Sequence, residues 1–192
     1  MKELFFAIIA IASVSYWAGY GLTCLFLPKQ LKAYWLWLSP WIFYLTTTII
    51  LIILSLCGVP ISSVGWIIFI ICSLITIYFI SKKKLPKINW LVDLTITSVV
   101  LISILFNLSP LIRRDKFLTT ISLGNNDIIT YATNADYLLQ HSIAESFQTE
   151  VILTISNLLQ DGYRWGPSTI TGFFLNLTSF EGYELAYLMQ IM

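Results

Sequence analysis

The stretch SLGNNDIITYATNADYLLQH, residues Ser122–His141, marks the point where the chain changes from apolar to polar. Long apolar runs precede it, whereas acids, amides and tyrosines accumulate from it onward. The whole chain is 57% hydrophobic and only 11% charged, with a mean hydropathy of +0.81. Soluble domains average about 25% charged residues. The composition therefore indicates an integral membrane protein, in which a membrane anchor comes first and presents the polar part.

Four apolar runs precede this stretch, and each is long enough for a transmembrane helix, which needs roughly 20 apolar residues. They cover Leu4–Leu27, Trp35–Cys57, Ile61–Ile80 and Trp90–Leu108. A cleaved signal peptide is the alternative for the first run, but that run is longer than the roughly 7–15 residues of a signal-peptide core. We therefore predict an all-α integral membrane fold with four N-terminal transmembrane helices.

The lysines between the runs predict their orientation. The first loop carries two lysines and the third loop four, whereas the second loop, Gly58–Pro60, carries no charge. In a chain with four spans the first and third loops share a side, and lysine-bearing loops stay in the cytoplasm. The N-terminus and residues 109–180 are therefore predicted on the outer face, of what we take to be a bacterial cell membrane. The net charge is +5 for residues 1–108 and −4 for residues 109–192, in keeping with this division.

Two groups of ionisable residues depart from this simple pattern. Arg113, Arg114 and Lys116 follow the fourth run on the predicted outer side. They form either a solvated, partly paired cluster or a cationic patch that binds a lipid phosphate at headgroup depth. Asp93 is the only acid within a predicted span. A carboxylate there indicates function by default, but its place near the cytoplasmic end favours a snorkelling interfacial side chain over a proton relay.

An amphipathic helix is predicted to begin at Asn126 or Asp127, because Gly124–Asn126 is a turn signal. Apolar positions then recur at every fourth residue, which is the spacing of one helix face. They are Tyr131, Ala135, Leu139, Ile143 and Phe147, whereas Asn134, Tyr137, His141 and Glu145 fall on the opposite, polar face. Asp136 lies at the boundary between the two faces. Such a helix is expected to lie on the membrane surface with its apolar stripe down.

Beyond this helix, short helical runs alternate with loops. A helical run covers Val151–Leu159, a compact loop covers Asp161–Pro167, and a short apolar helix covers Ser168–Leu177. The apolar run Tyr183–Met192 is too short to span a bilayer. We therefore expect a four-helix transmembrane region (1–108), an external loop with amphipathic surface helices (109–179) and the start of a further transmembrane helix (180–192). On this interpretation the chain is the front part of a longer protein.

Carboxylates at the outer surface of a membrane suit one class of reaction. Transfer of a sugar from a polyprenyl-phosphate carrier needs a base for the acceptor hydroxyl and cationic groups for the departing phosphate. Asp127 is the candidate base or metal ligand. Arg164, Arg113 and Arg114 are the candidate phosphate ligands, and Tyr131 and Asp136 are further candidates for substrate binding. The sequence contains no Gly-rich phosphate loop, no HExxH or GxSxG motif and no basic patch for nucleic acid.

Two segments carry a resemblance to a known family, GNNDIITYATNADYLLQHSI and DGYRWGPSTITGFFLNLTSFEGYELAYL. Together they resemble the first external loop, and the helices after it, of the GT-C superfamily of membrane glycosyltransferases. The resemblance implies an inverting transferase with a lipid-linked sugar donor and an active site on the outer face. Asp127 matches the catalytic Asp of that family, and Asp161 is a second catalytic candidate. The expected partners are membrane lipid and the lipid-linked donor, and the expected cofactor is a divalent cation, Mg²⁺ or Mn²⁺, at Asp127.

Plainer interpretations stay open beside this one. Asp127 is equally suited to cap a helix by accepting backbone N–H groups. Asp136 and His141 are typical of a solvated helix face, and Arg164 between two aromatics is typical of an interfacial anchor. The alternative function is that of a non-enzymatic polytopic membrane protein, such as a transporter, a flippase or a polysaccharide-assembly component. That alternative predicts ionisable residues inside further spans.

Overall fold

The computed structural model describes residues 2–82, 90–114, 126–146, 165–178, 180–182 and 185. Their helices are α1 (Lys2–Phe26), a 3-10 helix (Lys29–Tyr34), α2 (Trp35–Leu56), α3 (Ile61–Ser81), α4 (Trp90–Arg114), α5 (Asn126–Gln140), α6 (Ile143–Ser146) and α7 (Trp165–Leu177). No strand occurs among these residues, so the predicted all-α class is confirmed for this part of the chain.

Three of the described helices are long and apolar enough to cross a membrane, namely Phe6–Phe26 of α1, the whole of α2 and the whole of α3. Large apolar side chains also point outward from them. Phe6, Trp41, Leu45 and Leu74 are each at least 60% exposed. Water would make such a surface costly, whereas lipid would cover it. These helices are therefore compatible with insertion into a membrane.

The fourth predicted span forms the helix α4, whose apolar segment among the described residues is the shorter Asp93–Ser103. We expected this helix to end before Pro110, but it continues to Arg114. Proline removes one backbone donor while keeping a φ near the helical value, so a helix can pass it at the cost of a hydrogen bond. Membrane helices tolerate such interruptions. The helix therefore ends at two arginines and not at the proline.

The contacts of the chain divide it into two compact units. Unit 1 comprises Met1–Leu45, Phe69–Phe117 and Ile191–Met192, and unit 2 comprises Thr46–Ile68 and Leu118–Gln190. Helices α2 and α3 each contribute to both units, because the boundaries at residues 45 and 68 fall inside them.

Unit 1 is built around close contacts of α1 with its neighbours. The backbone N–H of Gly21 donates a hydrogen bond to Thr76 Oγ1 of α3 at 3.0 Å. A Cβ at Gly21 would lie 2.6 Å from the backbone nitrogen of Thr76, so only glycine allows this approach. Gly19 is similarly close to the backbone carbonyl of Ser39 in α2. The absence of two side chains therefore lets α1 pack directly on the backbones of α2 and α3.

Unit 2 is built around α7, whose residues from Ser168 to Leu175 are all buried. The apolar side of α5 packs against α7, where a Cβ at Gly172 would meet Ala135 O at 3.2 Å. The same hypothetical atom would lie 2.9 Å from Ile61 Cδ1 of α3. The buried threonine hydroxyls of α7 form hydrogen bonds within their own helix. Thr169 Oγ1 donates to Trp165 O and Thr171 Oγ1 donates to Pro167 O, each at 2.7 Å. The apolar stripe of α5 thus faces protein, whereas we expected it to face lipid.

Helix α5 confirms the predicted amphipathic helix but ends at Gln140, short of the Phe147 to which its stripe extends in the sequence. A bend at His141 and Ser142 separates it from the short α6. Within the stripe, Ala135 and Ile143 are buried as predicted. The polar-face assignment of Asn134 is wrong, because this residue is only 2% exposed. Packing against protein on more than one side buries a wider arc of α5 than a membrane surface would.

Candidate functional site

Asp127 and Tyr131 occupy the first turns of α5. They are four positions apart, so the helical backbone puts both on one face. Tyr131 is half-buried. The side chain of Asp127 lies outside the described residues, as do Asp161 and Arg164. Only the backbone of Arg113 and Arg114 is described, at the end of α4.

Asp136 lies nine residues after Asp127, which is about half a turn around the helix and roughly 13 Å along its axis. One straight helix cannot present both carboxylates to one reacting group. The predicted set of site residues on α5 therefore divides into two faces, with Asp127 and Tyr131 on one and Asp136 on the other.

Asp136 makes a contact with the chain beyond α7. Its Oδ1 accepts a hydrogen bond from the backbone N–H of Gly182 at 3.1 Å. A helical turn begins there, since Leu185 N–H donates to Glu181 O at 3.3 Å. Free N–H groups at the start of a helical turn attract a carboxylate, so Asp136 acts as a cap provided by another element. Desolvation raises the pKa of Asp136 above its ordinary value, and the negative charge of Glu181 adds to this, against the opposing effect of the Gly182 hydrogen bond.

A cluster of polar side chains lies at the C-terminal end of α5. The ring of Tyr137 stacks on the ring of His141 with centroids 4.7 Å apart and planes at 16°. His141 Nδ1 lies 3.0 Å from Glu145 Oε2, and both side chains are about half exposed. The hydrogen bond with His141 holds the pKa of Glu145 below its ordinary range, and Ser142 adds to this effect. A carboxylate that binds one imidazole nitrogen orients the ring and selects its tautomer.

Ser142 completes this group through a reciprocal pair of contacts. Glu145 N–H donates to Ser142 Oγ, and Ser142 Oγ donates to Glu145 Oε1, each at 3.2 Å. The Ser142 backbone also donates to the Glu145 carboxylate. That bond and the bond from Glu145 N–H to Ser142 Oγ make up a capping box, which forms where Ser or Thr precedes Glu by three residues at a helix start. The signal was present in the sequence as Ser142-Ile-Ala-Glu145 and was missed, because the periodic stripe appeared to continue through it.

His141 is half exposed, in keeping with the expected solvated face, and it contacts two side chains. Its neighbours Tyr137 and Glu145 stand four residues before and after it, the spacing at which side chains of one helix face meet. His141 stands fourteen positions after Asp127 in the sequence, which corresponds to roughly 20 Å along a helix. The two side chains therefore cannot act on the same bond. Chemistry at Asp127 and any chemistry at His141 would be separate.

Unit 2 also buries polar atoms that lack a hydrogen-bond partner. They are Thr47 Oγ1, Asn134 Nδ2 and Asn176 Nδ2. Asn176 belongs to α7, and its amide nitrogen is the atom that a Cβ at Gly65 of α3 would strike.

A metal site is not assembled by the described side chains, where no three His, Cys, Asp or Glu residues lie together. The side chain of the predicted ligand Asp127 is not among those described, so a cation at that residue stays a prediction. No model of a protein family, no curated protein and no solved structure matches this chain.

Proposed function

We propose that the chain is part of a membrane glycosyltransferase that moves a sugar from a polyprenyl-phosphate donor to an acceptor on the outer face of the membrane. The observation that carries the proposal is the start of α5. The acid-rich stretch after the apolar helices forms a helix that begins at Asn126, with Asp127 in its first turn. The residues that carry the resemblance to GT-C enzymes have the same order, an Asp followed at once by an amphipathic helix.

In this proposal α4 is a fourth transmembrane helix. It has 25 residues, and at 1.5 Å per residue it is longer than the roughly 30 Å hydrocarbon core. Exposed apolar side chains cover it, among them Trp90, Leu91, Leu94 and Phe106, each more than 65% exposed. Such a helix is better suited to lipid than to water.

The proposed sidedness has internal support. The charge-free turn between α2 and α3 and the segment from Leu118 belong to unit 2, where Ile143 N–H donates to Ser55 Oγ at 2.7 Å. Four spans with cytoplasmic lysine-bearing loops require that this turn and this segment lie on the same side of the membrane.

The proposed roles follow from chemistry. The Asp127 carboxylate takes the proton of the acceptor hydroxyl as that oxygen attacks the sugar carbon. The bond from that carbon to the phosphate oxygen breaks, and the departing phosphate is stabilised by cationic side chains. Arg113 and Arg114 at the end of α4, or Arg164, supply that charge. Tyr131, on the same face as Asp127, contacts the substrate, and Asp161 is a second candidate acid.

The transporter alternative depends on ionisable groups within spans, and Asp93 is the candidate for that role. Asp93 is 7% exposed and accepts a hydrogen bond from Trp37 Nε1 at 3.0 Å. This hydrogen bond joins the start of α2 to the start of α4, so the Asp93 carboxylate has a structural role. The expectation that the Asp93 side chain snorkels to the interface is wrong, because this side chain is buried against Trp37.

The test is replacement of Asp127 by Asn in the full-length, membrane-inserted protein, followed by measurement of sugar transfer from a polyprenyl-phosphate donor. We expect transfer to fall by at least a hundredfold, since a positioned base contributes about 10²–10⁴-fold. Glu145→Gln is the matched control, because it makes the same carboxylate-to-amide change beyond the other end of α5. Transfer at the wild-type rate by Asp127→Asn would remove Asp127 from the mechanism, and no transfer by the wild-type protein from any such donor would overturn the proposal.

A further inference from the structure

Four contacts bring the ends of the unit 1 helices together. The rings of Tyr20 and Trp35 meet edge to face at 5.4 Å, and Thr23 Oγ1 lies 3.0 Å from Ser39 Oγ, so the end of α1 lies beside the start of α2. Gly21 contacts Thr76 near the end of α3. Trp37 near the start of α2 contacts Asp93 near the start of α4. The end of α1, the start of α2, the end of α3 and the start of α4 therefore share one end of unit 1.

Two lysines are exposed at this end of unit 1. They are Lys29, at the start of the 3-10 helix, and Lys82, directly after α3. Asp93 is the only acid between Leu4 and Arg114. Because Asp93 is buried against Trp37, the exposed ionic side chains described at this end are cationic. We call this surface the basic end.

Exposed aromatic side chains accompany the lysines at the basic end. Tyr34, Tyr78 and Trp90 are 47%, 57% and 77% exposed. The Nζ of Lys82 lies 5.8 Å from the centre of the Tyr78 ring, within the range of a cation–π contact. Tyrosine and tryptophan favour the headgroup level of a bilayer, where one part of the ring meets lipid and another meets water. The basic end therefore combines the two side-chain types that suit a charged lipid surface.

We propose that the basic end binds anionic phospholipid headgroups, with the lysines on the phosphates and the aromatic rings at the level of the glycerol backbone. The inference needs the chain to be inserted in a membrane but does not depend on glycosyl transfer. A lysine near an anionic surface strengthens binding by roughly fivefold, so Lys29 and Lys82 together give a preference of more than about tenfold, which is easily measured. That preference decreases with salt, because exposed charges are screened.

The test compares lipids as ligands of the purified protein in neutral detergent. Thermal unfolding is followed with added phosphatidylglycerol, with added phosphatidylcholine and with inorganic phosphate at the same phosphorus concentration. We expect phosphatidylglycerol to bind at least tenfold more tightly than phosphatidylcholine at 50 mM NaCl, and the difference to decrease at 500 mM. Equal binding of the two lipids would overturn the proposal, and stabilisation by inorganic phosphate alone would show an anion site that is not a lipid site.

Variants assign the effect to the basic end. The double variant with Lys29→Gln and Lys82→Gln is expected to bind phosphatidylglycerol at least tenfold more weakly. The double variant with Lys29→Arg and Lys82→Arg keeps both positive charges and is expected to bind phosphatidylglycerol as the wild-type protein does. A Gln variant with undiminished preference would contradict the proposal. If that double variant does not fold, Lys29→Gln and Lys82→Gln are measured singly, and each is expected to weaken phosphatidylglycerol binding roughly fivefold; no loss in either would contradict the proposal.

Discussion

Ser142 is the residue on which the corner between α5 and α6 depends. It is completely buried, and its hydroxyl accepts the N–H of Glu145 while donating to the Glu145 carboxylate. The same carboxylate then orients His141, whose ring stacks on Tyr137. One hydroxyl group therefore determines where a helix starts again and, through Glu145, how an imidazole is held.

Replacement of Ser142 by Ala is expected to cost about 1 kcal/mol of stability, the usual cost of losing an N-cap side chain. Alanine fits the space, so the loss is that of hydrogen bonds and not of packing. The melting temperature should fall, and amide hydrogen exchange at Glu145 should accelerate. Gln140→Ala, at an exposed position two residues earlier, should change neither quantity. Unchanged exchange at Glu145 in Ser142→Ala would show that the box does not stabilise α6.

At this scale the sequence allowed only part of the candidate site to be predicted. The turn signal predicted a helix that begins at Asn126 or Asp127, and α5 begins at Asn126. Helical spacing could not show that Asn134 is buried, because periodicity describes one apolar face and not how many neighbours cover a helix. Nor could it show that Asp136 caps a turn 46 residues away, since that pairing depends on tertiary structure.

At the scale of elements, α1 approaches two neighbours through glycines two positions apart. Positions i and i+2 of a helix point in nearly opposite directions. Gly19 accordingly faces Ser39 of α2, and Gly21 faces Thr76 of α3. Small residues that allow backbones to approach are a usual basis of helix association in membranes, where no hydrophobic force drives helices together.

Gly21→Ala is expected to destabilise the protein by about 1–3 kcal/mol, because the new methyl group would meet the backbone of Thr76, which cannot move aside as a flexible side chain could. Gly166→Ala in α7 is the matched control. Its added Cβ would lie 3.7 Å from Thr48 Cγ2, an ordinary contact, and alanine favours a helix more than glycine does. Thermal unfolding in detergent measures both. Equal melting temperatures for the two variants would contradict the close approach at Gly21.

The elements themselves were largely predictable from composition. Apolar runs gave the starts of α2, α3 and α4 at Trp35, Ile61 and Trp90, where the structure has them. Their ends were less predictable, as at Pro110, because a proline can either stop a helix or be included in it. The bend after Gln140 was not predicted, because the apolar pattern continues in the sequence to Phe147 and the helix cap at Ser142 was overlooked.

At the scale of the whole molecule, the chain supplies its own probe of orientation. Cys57 is exposed in the uncharged turn after α2, whereas Cys72 is buried in α3. The described part of the chain contains no disulfide, so Cys57 is available as a thiol.

We expect a membrane-impermeant maleimide to label Cys57 in intact cells, because the turn between α2 and α3 lies on the proposed outer face. Cys57→Ser should abolish the labelling. A cysteine introduced at Gln30, in the lysine-bearing 3-10 helix, should react only after the membrane is opened. Labelling of residue 30 but not residue 57 in intact cells would reverse the orientation and place Asp127 on the cytosolic side.

The sharing of α2 and α3 between the two units has a consequence for biogenesis. The segment Thr46–Ile68 belongs with partners that the ribosome makes much later, and Gly172 follows its neighbour Ile61 by about 110 residues. At roughly 5–20 residues per second, that interval lasts about 5–20 s. During translation, the second half of α2 and the first third or so of α3 are therefore made well before the helix that completes their packing.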